Sequence, residues 1–358
     1  MRISICIPQY NRWRHLVYCL ESIRQQTYHD IEVVVCDDGS TDESRVMIPA
    51  FLQKTGLRYI YHEQTANVGY DRNLRSTMEL ATGEYVFLMG NDDALLGDDA
   101  MALLIEDIRR WQRPEVGFVN WSTWDDQSNM VRRTYVTGVL GQGPKAALNT
   151  FRSFAIVTGL FFKRNAFRRH NTAKYDGSIY VQIYLAARIL ADGGRLLGID
   201  RNVVCLGVHL DGKRANHYFD ILKARSWRLA PEYGGLDAIA RVAVEAIAPC
   251  VSGTRRKEYV YRVYSQILAF PYPYWLFEYR RNRLGRYAVN LAVGCSPAFL
   301  LRGVELTPLQ WLKLSATYAI STFGGLLVPV RVLALLKDVM HRRSKRSMSS
   351  GLTSSELA

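Results

Sequence analysis

Short apolar runs alternate with amphipathic stretches along the first hundred residues of this 358-residue chain. Four runs rich in β-branched or aromatic side chains predict strands: residues 2–8, 31–36, 58–62 and 85–89. Leu16, Leu20 and Ile23 have helical spacing and predict a helix between the first two strands. The run from Tyr85 to Met89 does not alternate with polar residues, which is typical of a strand covered on both faces. The pattern predicts an α/β fold with a mostly parallel, Rossmann-like sheet flanked by helices.

Polar residues follow the predicted strands at the points where they end. Asp37 and Asp38 come directly after the second strand, and Asn91, Asp92 and Asp93 come after the fourth. In a doubly wound sheet, ligands bind beyond the carboxyl ends of the strands. Carboxylate and amide oxygens suit Mg²⁺ or Mn²⁺, so this edge could hold a cation. The alternative is a turn rich in Asn and Asp that caps a helix beginning near residue 98.

The chain resembles family 2 glycosyltransferases in the order and spacing of five motifs: Ile5 to Arg12, Gln25 to Tyr28, Val33 to Asp42, Asn67 to Asn73, and Ala81 to Asp93. The resemblance covers residues 1–220 and implies a GT-A fold, a nucleotide-sugar donor, a divalent cation and inversion at the anomeric carbon. The pattern of residues 67–73, together with Gly-Asn-Asp-Asp at 90–93, is similar to the abequosyltransferase-like branch, which decorates bacterial surface polysaccharides.

The resemblance also implies a donor site along the first three strands. Pro8 and Tyr10 would lie against the nucleotide base, Asp38 would recognise the base or ribose with Asp37 beside it, and Arg72 would lie near the diphosphate. The full set of predicted donor residues is Pro8, Tyr10, Asn11, Asp37, Asp38, Gly69, Arg72, Asn73 and Asn91.

The predicted metal site departs from the pattern of the family. Asp92 matches the final acid of the family's Asp-any-Asp motif, but Gly90 stands where the first acid is expected. Residues 203–209 resemble the last core strand of the family, whose His completes the metal site or contacts the diphosphate. The predicted ligands of Mn²⁺ or Mg²⁺ are therefore Asp92, Asp93 and His209. A structural or merely exposed His209 is the alternative.

A general base is harder to place, because the acidic pair of the family is missing. Asp176 is the only carboxylate between Asp126 and Asp192 and precedes a predicted helix, so we predict that it is the base; the alternative is an acid that favours the helix N-terminus. Gln182 stands near the position of the missing acid and could orient the acceptor, although an amide cannot serve as a base.

The charge of the chain narrows the choice of partners. It has 46 Lys and Arg against 33 Asp and Glu, a net charge of +13, which indicates an anionic partner. The sequence lacks the zinc-finger, RRM and homeodomain patterns, so no nucleic acid is expected. An anionic membrane surface or a lipid-diphosphate acceptor accounts for the same charge. The six cysteines have no CxxC spacing and predict free thiols in a reducing cytosol.

The sequence changes character beyond residue 220. Helical stretches rich in Arg and aromatics replace the alternating pattern, and two uncharged stretches, 287–301 and 314–330, are shorter than the roughly 20 apolar residues that span a bilayer. They predict helices lying in the membrane plane or re-entering it; an ordinary helical subdomain or a dimerisation surface is the alternative. The predicted divisions are a catalytic domain (1–220), a membrane-associated helical region (221–343) and a disordered tail (344–358).

Together these features predict an inverting, metal-dependent glycosyltransferase that acts on a glycan or lipid-linked acceptor in bacterial surface polysaccharide synthesis. Because Arg2 leads directly into the first strand, we expect a cytoplasmic protein, peripheral on the inner face of the plasma membrane. Homo-oligomers are compatible with the sequence. A catalytically silent nucleotide-sugar-binding scaffold remains the alternative. A nucleotidyltransferase would need a Gly-rich, basic loop after the first strand, where the chain has residues 8–11, Pro-Gln-Tyr-Asn.

Overall fold

The computed structural model describes residues 1–210, 213–214 and 218–332. The chain divides into two compact units between residues 215 and 216, close to the predicted division at residue 220. The predicted tail, residues 344–358, lies outside the described residues.

The first unit is built on a ten-stranded sheet. Its strands, in chain order, are β1 (Ile3–Gln9), β2 (Ile31–Asp37), β3 (Arg58–Glu63), β4 (Tyr85–Leu88), β5 (Ala94–Leu95), β6 (Val116–Thr123), β7 (Asp126–Val131), β8 (Gly138–Gln142), β9 (Leu160–Lys163) and β10 (Arg195–Leu206). The main path across the sheet is β3-β2-β1-β4-β9-β6-β10-β5, with β7 beside β6 and β8 beside β10. Strands β3, β2, β1 and β4 are parallel, as predicted, whereas β9 is antiparallel to both β4 and β6.

Helices connect these strands. They are α1 (Trp13–Arg24), α2 (Ser44–Thr55), α3 (Tyr70–Leu80), α4 (Ala100–Arg110), α5 (Gly143–Thr150), α6 (Arg164–His170) and α7 (Val181–Ala191). The predicted face of α1 is confirmed, because Leu16, Leu20 and Ile23 are buried in the main apolar core. A short hairpin, β11 (His209–Leu210) and β12 (Lys213–Arg214), follows the sheet.

One buried acid joins the strands beneath the candidate site. The Glu32 carboxylate accepts hydrogen bonds from the Ser4 hydroxyl at 2.6 Å and from the Thr82 backbone N–H at 2.8 Å and hydroxyl at 2.6 Å. Burial alone would raise the pKa of Glu32, but these hydrogen bonds outweigh it and the net pKa is lowered. Glu32 thus links β1, β2 and the turn before β4.

We expect Glu32→Gln to lower the free energy of unfolding by about 2–3 kcal/mol at neutral pH, because the amide replaces an oxygen acceptor with a donor facing other donors. Since the folded pKa is lowered, the contribution of Glu32 is complete above about pH 4.3 and is lost as the pH falls through the folded pKa. Urea unfolding at pH 7 and pH 4 should show the difference between wild type and variant shrinking in acid. Glu106→Gln, which changes an exposed glutamate of α4, is the control; equal effects of both variants would contradict this account.

The second unit is helical. It contains α8 (Tyr218–Ala224), α9 (Leu236–Ile247), α10 (Thr254–Ala269), α11 (Pro271–Arg281), α12 (Gly285–Gly294), α13 (Pro297–Leu300) and α14 (Pro308–Leu327). Most of the uncharged stretch 287–301 packs inside this unit, where Tyr287, Leu291 and Cys295 are buried, while Val289 is 42% and Phe299 44% exposed. Within the described residues, no helix combines the length and apolar character that a bilayer crossing needs.

Candidate functional site

Asp38 organises the loop that leads into α3. Its carboxylate accepts hydrogen bonds from the backbone N–H groups of Val68 at 2.7 Å and Gly69 at 3.1 Å. Gly69 has a φ of +88°, a left-handed conformation that favours glycine. Burial raises the pKa of Asp38, although the two N–H groups and the charge of Arg72 oppose that shift. The structure therefore brings together three predicted donor residues, Asp38, Gly69 and Arg72, of which Arg72 is exposed.

Asp37 is fully buried at the end of β2 and is only half satisfied. One carboxylate oxygen accepts from the Ser40 N–H at 2.7 Å, while the other has no hydrogen-bond partner among the described residues. Burial raises the pKa of Asp37. A buried acceptor without a donor is costly. The Tyr61 hydroxyl is close to this carboxylate, and burial and the charge of Asp37 raise the pKa of Tyr61.

Hydrogen bonds hold the loop after β1, and side chains near the end of β1 are exposed to solvent. Asn11 has a φ of +48°, and its side-chain oxygen accepts from the Thr41 N–H at 2.6 Å. Tyr10 is 43% exposed, and Pro8 is partly exposed. Asn73 is buried and donates to the Cys36 carbonyl at 2.9 Å, so it braces the strand ends from inside.

At the end of β4, the side chain of Asp93 turns inwards. Its carboxylate accepts from the Gly207 N–H at 2.8 Å and from the Thr158 hydroxyl. Burial raises the pKa of Asp93 to about 7, and the charge of Asp92 adds to that shift. A Cβ atom at Gly90 would lie 2.5 Å from a carboxylate oxygen of Asp93. The glycine at position 90 is therefore required by the inward position of Asp93, and an acid could not stand there without displacing it.

The Asp92 carboxylate, in contrast, is paired with the guanidinium of Arg12. The Arg12 guanidinium donates to the Asp92 carboxylate at 2.9 Å and to the Asn91 side-chain oxygen at 3.3 Å. The Asn91 amide donates in turn to Gln9 at 2.7 Å. His15 lies near this pair: burial lowers its pKa, and the charge of Asp92 opposes that shift. Sequence reasoning missed Arg12 and His15, although Arg12 closes one of the family motifs.

The three predicted metal ligands do not form a closed cage. The described residues contain no group of three or more His, Cys, Asp or Glu side chains placed to hold a metal ion. Asp93 is engaged inside the protein through both oxygens, and His209 Nδ1 lies 3.1 Å from the Asp125 carboxylate. The Val208 N–H donates to the Asp92 carbonyl at 2.7 Å. This hydrogen bond connects the His209 segment to residues 91–93, which we call the acidic turn. The arrangement fits a cation held by one or two side chains and by substrate oxygens, as Mg²⁺ sites often are.

Asp176, the predicted base, is paired with an arginine of α3. Its two carboxylate oxygens accept from Arg75 Nε at 2.8 Å and Nη2 at 2.6 Å. Arg75 also donates to the Asn171 side-chain oxygen at 3.2 Å. Asp71, another residue of α3 that sequence reasoning missed, accepts from the backbone N–H groups of Ile179 at 2.7 Å and Val181 at 3.1 Å. Together the two α3 side chains hold the segment that leads into α7.

Gln182 and Arg133 hold the neighbouring loop from inside. Gln182 is buried and donates to the Ala155 carbonyl at 3.1 Å, so in this structure it orients the loop and not a ligand at the surface. Arg133 is buried and donates to the carbonyls of Val119, Ile156 and Thr158. Burial lowers the pKa of Arg133 to about 9. The Thr158 hydroxyl donates in turn to Asp93, so Arg133 supports the acidic turn indirectly, through Thr158.

The sequence is similar to known glycosyltransferases. Residues 4–170 match the family described as Glycosyl transferase family 2. The chain is 30% identical over 220 residues to the abequosyltransferase RfbV of Salmonella typhimurium, covering 55% of this chain and 63% of that protein. It is 31% identical over 137 residues to the glycosyltransferase GlyG of Streptococcus pneumoniae, covering 38% and 44%. The chain thus spans less than two thirds of the length of these relatives.

Solved structures share the fold at low identity. TarS of S. aureus, residues 1–349, matches with a TM-score of 0.55 and 14% identity over 90% of this chain and 91% of that one. The mannosyltransferase PcManGT of Pyrobaculum calidifontis, in complex with GDP-Man and Mn²⁺, matches with a TM-score of 0.50 and 16% identity over 97% and 86%. The predicted GT-A fold is confirmed. Residues 4–170 match the family 2 glycosyltransferases, and the chain is similar to an abequosyltransferase.

Proposed function

We propose that the protein transfers a sugar, with inversion, from a nucleotide-sugar donor to a glycan or lipid-linked acceptor in bacterial surface polysaccharide synthesis. The observation that carries this proposal is the Asp92–Arg12 pair at the end of β4, 2.9 Å apart, within a family 2 domain. The similarity to an abequosyltransferase supports the choice of surface polysaccharide.

The donor nucleotide would bind over the ends of β1 and β2. Asp38, with Asp37 beside it, is the acid that we propose to recognise the base or the ribose. Tyr10 offers an exposed ring beside it for stacking. Arg72, exposed in the first turn of α3 after the loop that Asp38 holds, would meet the diphosphate.

A divalent cation, Mn²⁺ or Mg²⁺, would neutralise the charge of the departing diphosphate when bound. Asp92 and His209 are the side chains that we propose as its ligands, and the buried Asp93 supports the turn that carries Asp92. The Arg12 guanidinium already lies 2.9 Å from the Asp92 carboxylate, so its positive charge would also help to neutralise the diphosphate.

On the acceptor side, we propose that Asp176 takes the proton of the attacking hydroxyl. Its side chain is partly exposed, and Arg75 holds it in one orientation through two hydrogen bonds. Gln182 would act through the loop around Ala155 that it holds. For the whole protein we propose a cytoplasmic location, peripheral on the inner face of the plasma membrane, where an anionic surface meets the basic chain; a homo-oligomer is compatible with it.

A thermal-shift screen tests the proposal directly. Purified full-length protein is melted with UDP, GDP, CDP or dTDP, each with and without Mn²⁺, because a ligand that binds the native state raises the melting temperature. We expect one nucleotide to raise it, and Mn²⁺ to enlarge the shift. No shift with any of the four nucleotides would contradict the proposed donor site.

A catalytically silent nucleotide-sugar-binding protein is the second candidate. Gly90 in place of the first motif acid and the engagement of Asp176 by Arg75 favour it. Such a protein would give the same melting shift with nucleotide. It would not release nucleoside diphosphate from any nucleotide sugar in the presence of acceptor glycans, whereas the proposed transferase would.

A further inference from the structure

Helix α14 carries a continuous exposed apolar stripe. Its residues recur every three or four positions and so share one face of the helix: Leu309, Leu312, Ala316, Ile320, Phe323 and Leu327. Ile320 is 74% exposed, Phe323 66% and Leu327 64%. Single exposed apolar side chains are common, but an aligned row of them on one surface marks an interaction site.

The opposite face of α14 is anchored within the helical unit. Leu314 is buried, and a Cβ atom at Gly325 would meet the side chain of Leu276 in α11. The Ser321 hydroxyl donates to the Leu268 carbonyl of α10 at 2.9 Å, and Arg280 donates to the Gly325 carbonyl at 2.6 Å. Because one side of the helix is occupied by α10 and α11, lipid could reach only the stripe.

Nearly all the net positive charge of the protein lies in the same part of the chain. Residues 216–351 contain 20 Lys and Arg against 8 Asp and Glu, a net charge of +12, whereas residues 1–215 contain 26 against 24, a net charge of +2. Exposed Lys313 and Arg331 bracket the uncharged residues 314–330. In the sequence, Lys337, Arg342, Arg343, Lys345 and Arg346 follow soon after.

The net positive charge of this unit indicates which partner binds the stripe. A second copy of the chain would bring another unit of charge +12 against the first, which opposes association. An anionic bilayer would attract it, because each Lys or Arg near the surface adds to the attraction. A helix with one apolar face and basic flanks typically lies in the plane of the interface, with that face at the boundary between headgroups and acyl chains.

We propose that α14 lies in the plane of an anionic membrane surface, with the stripe from Leu309 to Leu327 inserted and the flanking basic side chains on the headgroups. This inference rests on the proposed function, in which the enzyme works beside such a surface, and it names the helix that makes the contact. Of the two uncharged stretches in the sequence, 314–330 would make the main lipid contact, because most of 287–301 packs inside the unit.

Vesicle flotation tests this contact. Full-length protein is floated with vesicles of phosphatidylcholine alone or with 30% phosphatidylglycerol, a composition chosen for the assay. We expect strong binding only to the anionic vesicles, weakened by salt. The double variant Ile320→Glu/Phe323→Glu should bind about tenfold more weakly or worse, since inserting these two side chains removes their apolar surface from water. The matched control is Val46→Glu/Met47→Glu, which adds the same charge at exposed apolar positions of α2 and should float like wild type.

Three results would overturn the proposal: no flotation of the wild type, equal flotation of the wild type and the α14 variant, or equal losses in both double variants. A wild-type dimer in light scattering that the α14 variant abolishes, without lipid binding, would assign the stripe to a second copy instead. The nucleotide-induced melting shift, measured on the same samples, should be unchanged in the α14 variant. Its absence from the wild type would count against the proposed function while leaving the membrane result intact.

Discussion

Asp92→Asn should lower the rate of sugar transfer by about 10²–10³-fold, the usual effect of removing a charged group that acts on a developing charge. Asp92 is the carboxylate of the acidic turn that faces outwards, whereas Asp93 is engaged inside by Thr158 and Gly207. The amide removes the negative charge that would hold a divalent cation and that pairs with Arg12. We expect nucleotide to raise the melting temperature of the variant as before, but without the additional shift from Mn²⁺.

The measurement is the release of nucleoside diphosphate from the donor whose base the melting screen identifies, at several Mn²⁺ concentrations. Asp98→Asn is the matched control, because it removes an exposed carboxylate six residues away, on the other side of β5. A variant at position 92 that keeps both its rate and its response to Mn²⁺ would remove Asp92 from the proposed metal site.

The parts of the site that sequence could predict are those formed by local patterns. The strand pattern predicts that Asp37 and Asp38 lie at the edge where parallel strands end, and the family resemblance adds Gly69 to the donor residues. The structure brings Asp38 and Gly69 into direct contact at 3.1 Å. The departure at Gly90 was also visible in the sequence. Its cause was not, because it lies in the inward rotamer of Asp93 three residues later.

The contacts that sequence could not predict join distant parts of the chain. Arg75 and Asp176 are 101 residues apart, and Asp71 reaches Ile179 across 108 residues. Neither pairing leaves a periodic signal, since each depends on how α3 packs beside the segment before α7. The antiparallel β9 between β4 and β6 was missed for the same reason.

The same limit applies to the C-terminal helices. Residues 287–301 and 314–330 are both uncharged and look alike as sequences. In the structure, Leu291 is fully buried while Ile320 is 74% exposed. Hydrophobic content alone predicts that an apolar face will be shielded from water. Whether the rest of the protein shields it depends on how α12 and α14 pack.

Asp176→Asn should lower sugar transfer by about 10²–10⁴-fold, the range expected on loss of a general base, and should leave the nucleotide-induced melting shift unchanged. The competing account is that Asp176 only anchors the segment before α7 through its two hydrogen bonds with Arg75. Arg75→Met separates the two accounts, because it removes the anchor and keeps the carboxylate.

If Asp176 is the base, we expect Arg75→Met to lower transfer by roughly tenfold, much less than Asp176→Asn, because a base that is present but less well oriented keeps part of its effect. If Asp176 is only an anchor, both variants should lose transfer equally and melt at similarly reduced temperatures. The control is Asp192→Asn, which removes the exposed acid that pairs with His170 at the other end of α7 and should change neither quantity appreciably. Equal losses at positions 176 and 75 would remove Asp176 as the base and make the pair a positioning device for the acceptor side.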